Sequence, residues 1–255
     1  MAIELSRVEE FALIRLNRPQ ALNALSFGLV EDLSRAIDEV AASDARALLI
    51  TGAGDKAFCA GADIAELAGR TLAQTKRGAE LGQAAMEKIA RLPMPSVAIV
   101  NGYAFGGGLE LALACTFRLV TANAKLGLPE IKLGLIPGYG GTQRLPRAVG
   151  EARALEMILT AKAVDAQTAL AWGLANRLVD GDALAAGIAF AREFSRFSLP
   201  VLAFAREAVQ RALDTPVHEG LRIEADLSTL AFQLDDARAG MDAFMNKRKP
   251  AFRDR

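Results

Sequence analysis

The sequence predicts an α/β protein, with a core of alternating strands and helices followed by a section of helices alone. Three observations predict it. Short apolar runs alternate with stretches of helical period as far as Val179. No strand-like run follows from Asp182 onward. A 255-residue chain that is 52% hydrophobic also has ample apolar material for a large core.

The core opens with two β-like runs, Ala2–Val8 and Phe11–Asn17, joined by a charged turn. Pro19 interrupts the chain after the second run, and Ser26 caps a helix to about Ala42, with Leu29, Leu33, Ile37 and Val40 at helical spacing. Ala47 to Thr51 is a short buried strand, ended by Gly52-Ala53-Gly54-Asp55. A second helix, near Leu72 to Leu92, carries Leu81, Ala85, Ile89 and Leu92 on one side and is stopped by Pro93 and Pro95. Ser96 to Val100 is another buried strand, leading through a glycine loop into an apolar helix that begins near Gly107. Further strand-like pieces lie at Phe117–Thr121 and Leu174–Val179. Beyond them the chain reads as helix broken at Pro200 and Pro216. Pattern alone predicts an open α/β sheet.

Composition narrows the chemistry. Lys+Arg and Asp+Glu are 30 each, so the formal net charge is zero and the main electrostatic motive for general nucleic-acid binding is missing. Two cysteines make no disulfide scaffold, and one histidine, His218, makes no multi-histidine metal site. The N-terminal residues lack a basic segment followed by an apolar block, so no targeting signal is expected there. The longest apolar region, Val97 to Val120, contains Glu110 and Arg118, which marks it as core and not a membrane span. A cytoplasmic protein is expected, and a processed organelle-matrix protein fits equally.

The loop Gly106-Gly107-Gly108 follows a strand and opens a helix, the usual setting for anion binding by free backbone N–H groups. It is not a dinucleotide fingerprint, because Leu111 stands where the third glycine belongs. No Lys-Ser or Lys-Thr pair follows, which removes the P-loop, and there is no G-x-S-x-G elbow. Glu110 is the anomaly, an acid with only apolar neighbours and no opposite charge within four residues. Either it is favoured by the helix dipole and reaches water, or it is a buried acid with a raised pKa. Glu130 lies in a second glycine-punctuated stretch, Leu126 to Thr142, and taken alone reads as a solvated loop residue. As a pair the two could supply a general acid and a general base without histidine, cysteine or metal. In a third glycine site, Phe58 to Ile64, a helix is expected from about Ala62, with Asp63 in its first turn and Cys59 a small packed residue.

These segments, in this order, resemble the crotonase (enoyl-CoA hydratase/isomerase) superfamily. The matching pieces are Leu16 to Leu25, Ala57 to Ile64, Asn101 to Ala112, Pro129 to Leu145 and the C-terminal Gly240 to Arg248. The resemblance implies a spiral of ββα units over 1–195 that holds the site, and a helical section over 196–255 that mediates trimerisation, with trimers pairing into hexamers. It implies an acyl-CoA thioester substrate, with coenzyme A part of that substrate and no metal or redox cofactor. The family's oxyanion hole maps onto the backbone N–H groups of Ala62 and Gly107, both at expected helix starts. Ala21, Ala60, Asp63 and Ile64 match positions near the coenzyme A moiety. Phe244 and Lys247 match C-terminal contacts, which a neighbouring subunit can supply. The hydratase subgroup carries two glutamates, matched here by Glu110 and Glu130, with Gly138 contributing backbone hydrogen bonding near their water. The resemblance therefore implies syn hydration of a trans-2-enoyl-CoA. The alternatives are double-bond isomerisation or a specialised acyl-CoA dehydration on the same scaffold, and, in another class, a non-catalytic acyl-CoA or RNA-binding role.

Overall fold

The computed structural model describes residues 2–255. Strands β1 (Ile3–Val8) and β2 (Phe11–Leu16) form an antiparallel hairpin. Helix α1 (Phe27–Ala41) starts where Ser26 accepts a hydrogen bond from the Leu29 amide, and it buries Leu29, Leu33, Ile37 and Val40. Three strand–strand–helix passages come next. The first is β3 (Leu48–Gly52), β4 (Ala57–Cys59), the single-turn α2 (Ile64–Leu67) and α3 (Leu72–Ala90), the last started by a Thr71/Gln74 capping box. The second is β5 (Ser96–Val100), β6 (Tyr103–Phe105) and α4 (Gly107–Ala114). The third is β7 (Phe117–Thr121), β8 (Lys125–Gly127), a 3-10 turn over Glu130–Leu133 and α5 (Gly141–Val149). The chain continues through α6 (Glu151–Leu159), β9 (Val164–Asp165), α7 (Ala166–Ala171), β10 (Arg177–Val179) and α8 (Ala183–Ser195). It ends in α9 (Leu199–Arg211), α10 (Val217–Gln233) and α11 (Asp235–Met245).

The strands sort into two sheets. A six-stranded sheet has the order β1-β2-β3-β5-β7-β10, and a four-stranded sheet the order β4-β6-β8-β9. The first strand of each passage joins the large sheet and the second joins the small one, each beside its predecessor and parallel to it. The chain therefore advances as a spiral, one strand position per turn. This corrects the open sheet expected from pattern alone. The second sheet escaped because β4, β6 and β8 are three residues each, too short to register a period of two.

Both faces of the large sheet are covered, which explains why β3 and β5 are buried throughout. Leu48, Ile50, Ala98 and Val100 face the main core, beneath α1 and α3. Leu49, Val97 and Ile99 face a second cluster closed by Phe190 and Phe194 of α8. Three smaller expectations also shift. Residues 174–176 close the turn after α7, through Ala175 N–H to Ala169 O, so β10 begins only at Arg177. Pro200 sits within the first turn of α9, where its missing N–H costs nothing, so the helix break falls just before it. Helix α2 begins at Ile64, with Ala62 lying before it. Among the described residues no helix is long and apolar enough to cross a membrane.

Candidate active site

The spiral brings the three glycine segments to one place. Gly61 and Gly106 abut through their backbones: a Cβ on Gly106 would stand 3.7 Å from Gly61 Cα, and one on Gly61 would stand 3.0 Å from Phe105 O. Both glycines have positive φ, +111° and +50°, a conformation that a side chain would strain. The next residues along the chain, Ala62 and Gly107, present amides that donate to no other described residue. Gly107 opens α4, whose first N–H groups have no intrahelical acceptor. Ala62 owes its free amide to a different cause than the expected helix start. It forms an isolated parallel bridge with Leu25, in which Leu25 N donates to Gly61 O and Asp63 N donates to Leu25 O. The two neighbours of Ala62 carry the ladder, so its own N–H points away from it.

Asn23 supports this corner from behind. It is fully buried in the left-handed region at φ +57°, which asparagine tolerates better than most residues. Its side-chain amide donates to Ala53 O and Ala57 O at 3.0 and 2.8 Å and accepts from Arg18 N at 2.9 Å. Arg18 in turn donates to Ala24 O and pairs with Asp63 at 3.2 Å.

Glu110 is 2% exposed, in the first turn of α4 and directed at the start of α5. Its Oε1 accepts from Tyr139 N and Gly141 N, both at 2.7 Å. Burial pushes its carboxyl up to about 7; the Gly141 and Tyr139 amides and the Arg144 guanidinium pull it down, while Glu130 adds to the rise. Glu130 heads the 3-10 turn and lies across the same space, its Oε1 2.8 Å from where a Cβ on Gly106 would stand. Its Oε2 is buried with no protein partner, and burial raises this carboxyl too. The reading of Glu130 as a solvated loop residue is therefore replaced, whereas Glu110 follows the buried alternative. The result is a coupled carboxyl pair beside two unpaired amides, an arrangement able to hold a polarised oxygen and move protons on one side of it.

Of the other expected positions, Ala21, Ala60 and Asp63 are half-buried around the same corner, and Ile64 is exposed at the start of α2. Gly138 comes just before the amide that holds Glu110, and its carbonyl accepts from Gln83 Nε2 at 3.0 Å. Phe244 is 83% exposed near the end of α11, and Lys247 follows that helix; no hydrogen bond ties either side chain to the glutamate pair. Cys59 is fully buried and its thiol is pushed up to about 12 by burial, as a packed residue should be.

Sequence reasoning missed three contributors. Tyr139 and Gly141 supply the amides for Glu110, and Arg144 donates to Tyr139 O at 3.2 Å and to Glu87 at 3.1 Å, tying the loop to α3. The signal was present: a buried acid needs donors, and Gly138-Tyr139-Gly140-Gly141 is a run of backbone able to approach one.

Comparison with known proteins agrees with this architecture. The sequence profile described as enoyl-CoA hydratase/isomerase matches residues 7–255, and the chain belongs to that family. A probable enoyl-CoA hydratase of Rhizobium meliloti is 43% identical, over 95% of this chain and 94% of that protein. A crotonyl-CoA hydratase of Syntrophomonas wolfei is 39% identical over 98% and 97%. The crystal structure of an enoyl-CoA hydratase from Bacillus anthracis superposes with a TM-score of 0.95 at 36% identity, covering all of both chains. The implied spiral fold and helical C-terminal section are thus both present.

Proposed function

We propose that the protein is an enoyl-CoA hydratase, adding water reversibly and syn across the double bond of a trans-2-enoyl-CoA to give a 3-hydroxyacyl-CoA. One observation carries this reading: two buried carboxyl groups, Glu110 and Glu130, share a space beside the unpaired amides of Ala62 and Gly107. The thioester oxygen accepts from those two amides and takes up the negative charge that develops when C3 is attacked. Losing one such preorganised donor costs about 2.7–4 kcal/mol of barrier in a comparable site. Glu110 orients a water and takes its proton as the oxygen bonds to C3, and Glu130 delivers a proton to C2. The water's two parts thus end on adjacent carbons, on one face. A base whose pKa of about 7 lies near neutral pH is both ionised and basic enough to act. The pair titrates as a unit, and the unpartnered Glu130 Oε2 suits an atom that exchanges a proton with substrate.

Water adds with no change in the overall oxidation level, so this reading calls for no redox cofactor, and the Ala62 and Gly107 amides take the part of polarising the thioester oxygen that a metal would otherwise play. We place coenzyme A near Ala21, Ala60, Asp63 and Ile64, with Gly138 near the attacking water and Phe244 and Lys247 completing the site of a neighbouring subunit. Exposed Val209, Leu213, Phe232, Phe244 and Met245, on the C-terminal helices and the turn after α9, support self-association as a trimer or hexamer. A cytoplasmic location, or an organelle matrix, fits such an activity. The test is loss of the conjugated enoyl-thioester absorbance of crotonyl-CoA. Glu110→Gln and Glu130→Gln should each lower turnover by about 10²–10⁴-fold. Near-normal turnover in either would remove its role, and a double-bond shift without hydration would establish the isomerase instead.

A further inference from the structure

Helix α3 carries two glycines one turn apart, Gly78 and Gly82, both buried. Each is a seat for an aromatic ring: a Cβ at Gly78 would overlap Phe27, and one at Gly82 would overlap Tyr139. The Tyr139 ring reaches across to the start of α4, where a Cβ on Gly107 would meet its Cδ2 at 3.3 Å and Leu25 Cδ1 at 3.2 Å. The backbone amide of Tyr139 holds Glu110, so the ring branches from a residue bonded directly to the acid assigned to C3. Arg70 lies on the Phe27 ring, 3.5 Å from its centroid, and closes the outer side. Tyr139 is only 7% exposed and therefore fixed in place.

We propose that the Tyr139 ring, seated on Gly82 with Leu25 beside it at the start of α4 and the Arg70-capped Phe27 seated one turn away on α3, ends the acyl pocket and makes this site selective for short-chain enoyl thioesters. The inference rests on the hydratase reading for where the acyl chain lies. A chain leaving C3 passes the residue whose amide holds Glu110, and its terminal methylenes meet a ring that helix α3 prevents from retreating. Smaller side chains at 139 open that space, because the glycine seat behind it is then empty.

Chain-length discrimination is measured by calorimetry with saturated butyryl-, hexanoyl- and decanoyl-CoA, which bind without turning over. The natural protein should gain nothing from hexanoyl to decanoyl. Each newly buried methylene is worth roughly fourfold in affinity, so Tyr139→Ala and Tyr139→Leu should raise the decanoyl-to-butyryl affinity ratio at least tenfold. Tyr139→Phe keeps the ring and should keep the natural ratio. Should Tyr139→Ala fail to fold, the leucine variant, which keeps more of the volume, carries the test. A natural protein whose affinity climbs steadily with chain length, or a ratio unchanged in the alanine and leucine variants, would overturn the proposal. Failure of the hydratase reading appears separately, as unchanged crotonyl-CoA absorbance with the binding preference intact.

Discussion

Replacing Glu110 by glutamine should make the protein more stable at pH 8 and nearly inactive. A raised acid binds its proton more tightly in the folded chain than in the unfolded one. Between the ordinary value of 4.5 and the folded value of about 7, the unfolded chain has released a proton that the folded chain retains, so stability falls as pH rises. A shift of that size is worth about 3 kcal/mol at 1.36 kcal/mol per pH unit. Glutamine has the same shape, its oxygen still accepts from the Tyr139 and Gly141 amides, and it has no charge to desolvate. The stability difference between variant and natural protein should therefore be near zero at pH 4.5 and grow to about 3 kcal/mol at pH 8. Urea denaturation at one fixed protein concentration across that range measures it. A difference that does not change with pH, or a variant less stable at pH 8, would show that burial does not govern this carboxyl.

Arg144→Met removes both the hold on Tyr139 O and a cation that lowers the Glu110 pKa. The acid limb of the pH–rate profile should move to higher pH, with Arg144→Lys shifting it less. Gly106→Ala forces a side chain into the left-handed region and towards Glu130, which should destabilise the fold by about 1–3 kcal/mol and lower kcat more than KM. Ser26→Ala removes the cap of α1 and should cost about 1 kcal/mol in denaturant titrations.

The inner large-sheet strands were legible as short unbroken apolar runs, and the long helices because each buries one face with a period that hydropathy records. Ser26 to Ala41 and Ser96 to Val100 are the clearest cases. The spiral was legible only through resemblance, since a three-residue strand such as Tyr103–Phe105 carries no period. Glu110 stood out because a lone acid in an apolar helix has to be explained. Glu130 did not, because its burial comes from Gly106 and its surroundings, distant in sequence. The Ala62 amide is unpaired for a reason other than the helix start that the sequence suggested. A bridge between residues 25 and 62 is a tertiary fact, and no local pattern encodes it.

The three hydrogen bonds of the Asn23 side chain turn this residue into a joint between strands that share no regular pairing there. Its loss would let the segment around Leu25 drift, and the Ala62 amide would drift with it, although Asn23 itself touches no reacting atom. A damaging substitution at this position would look like an active-site lesion in an assay while lying outside the pocket. Sequence surveys that weigh only residues facing the ligand would overlook it.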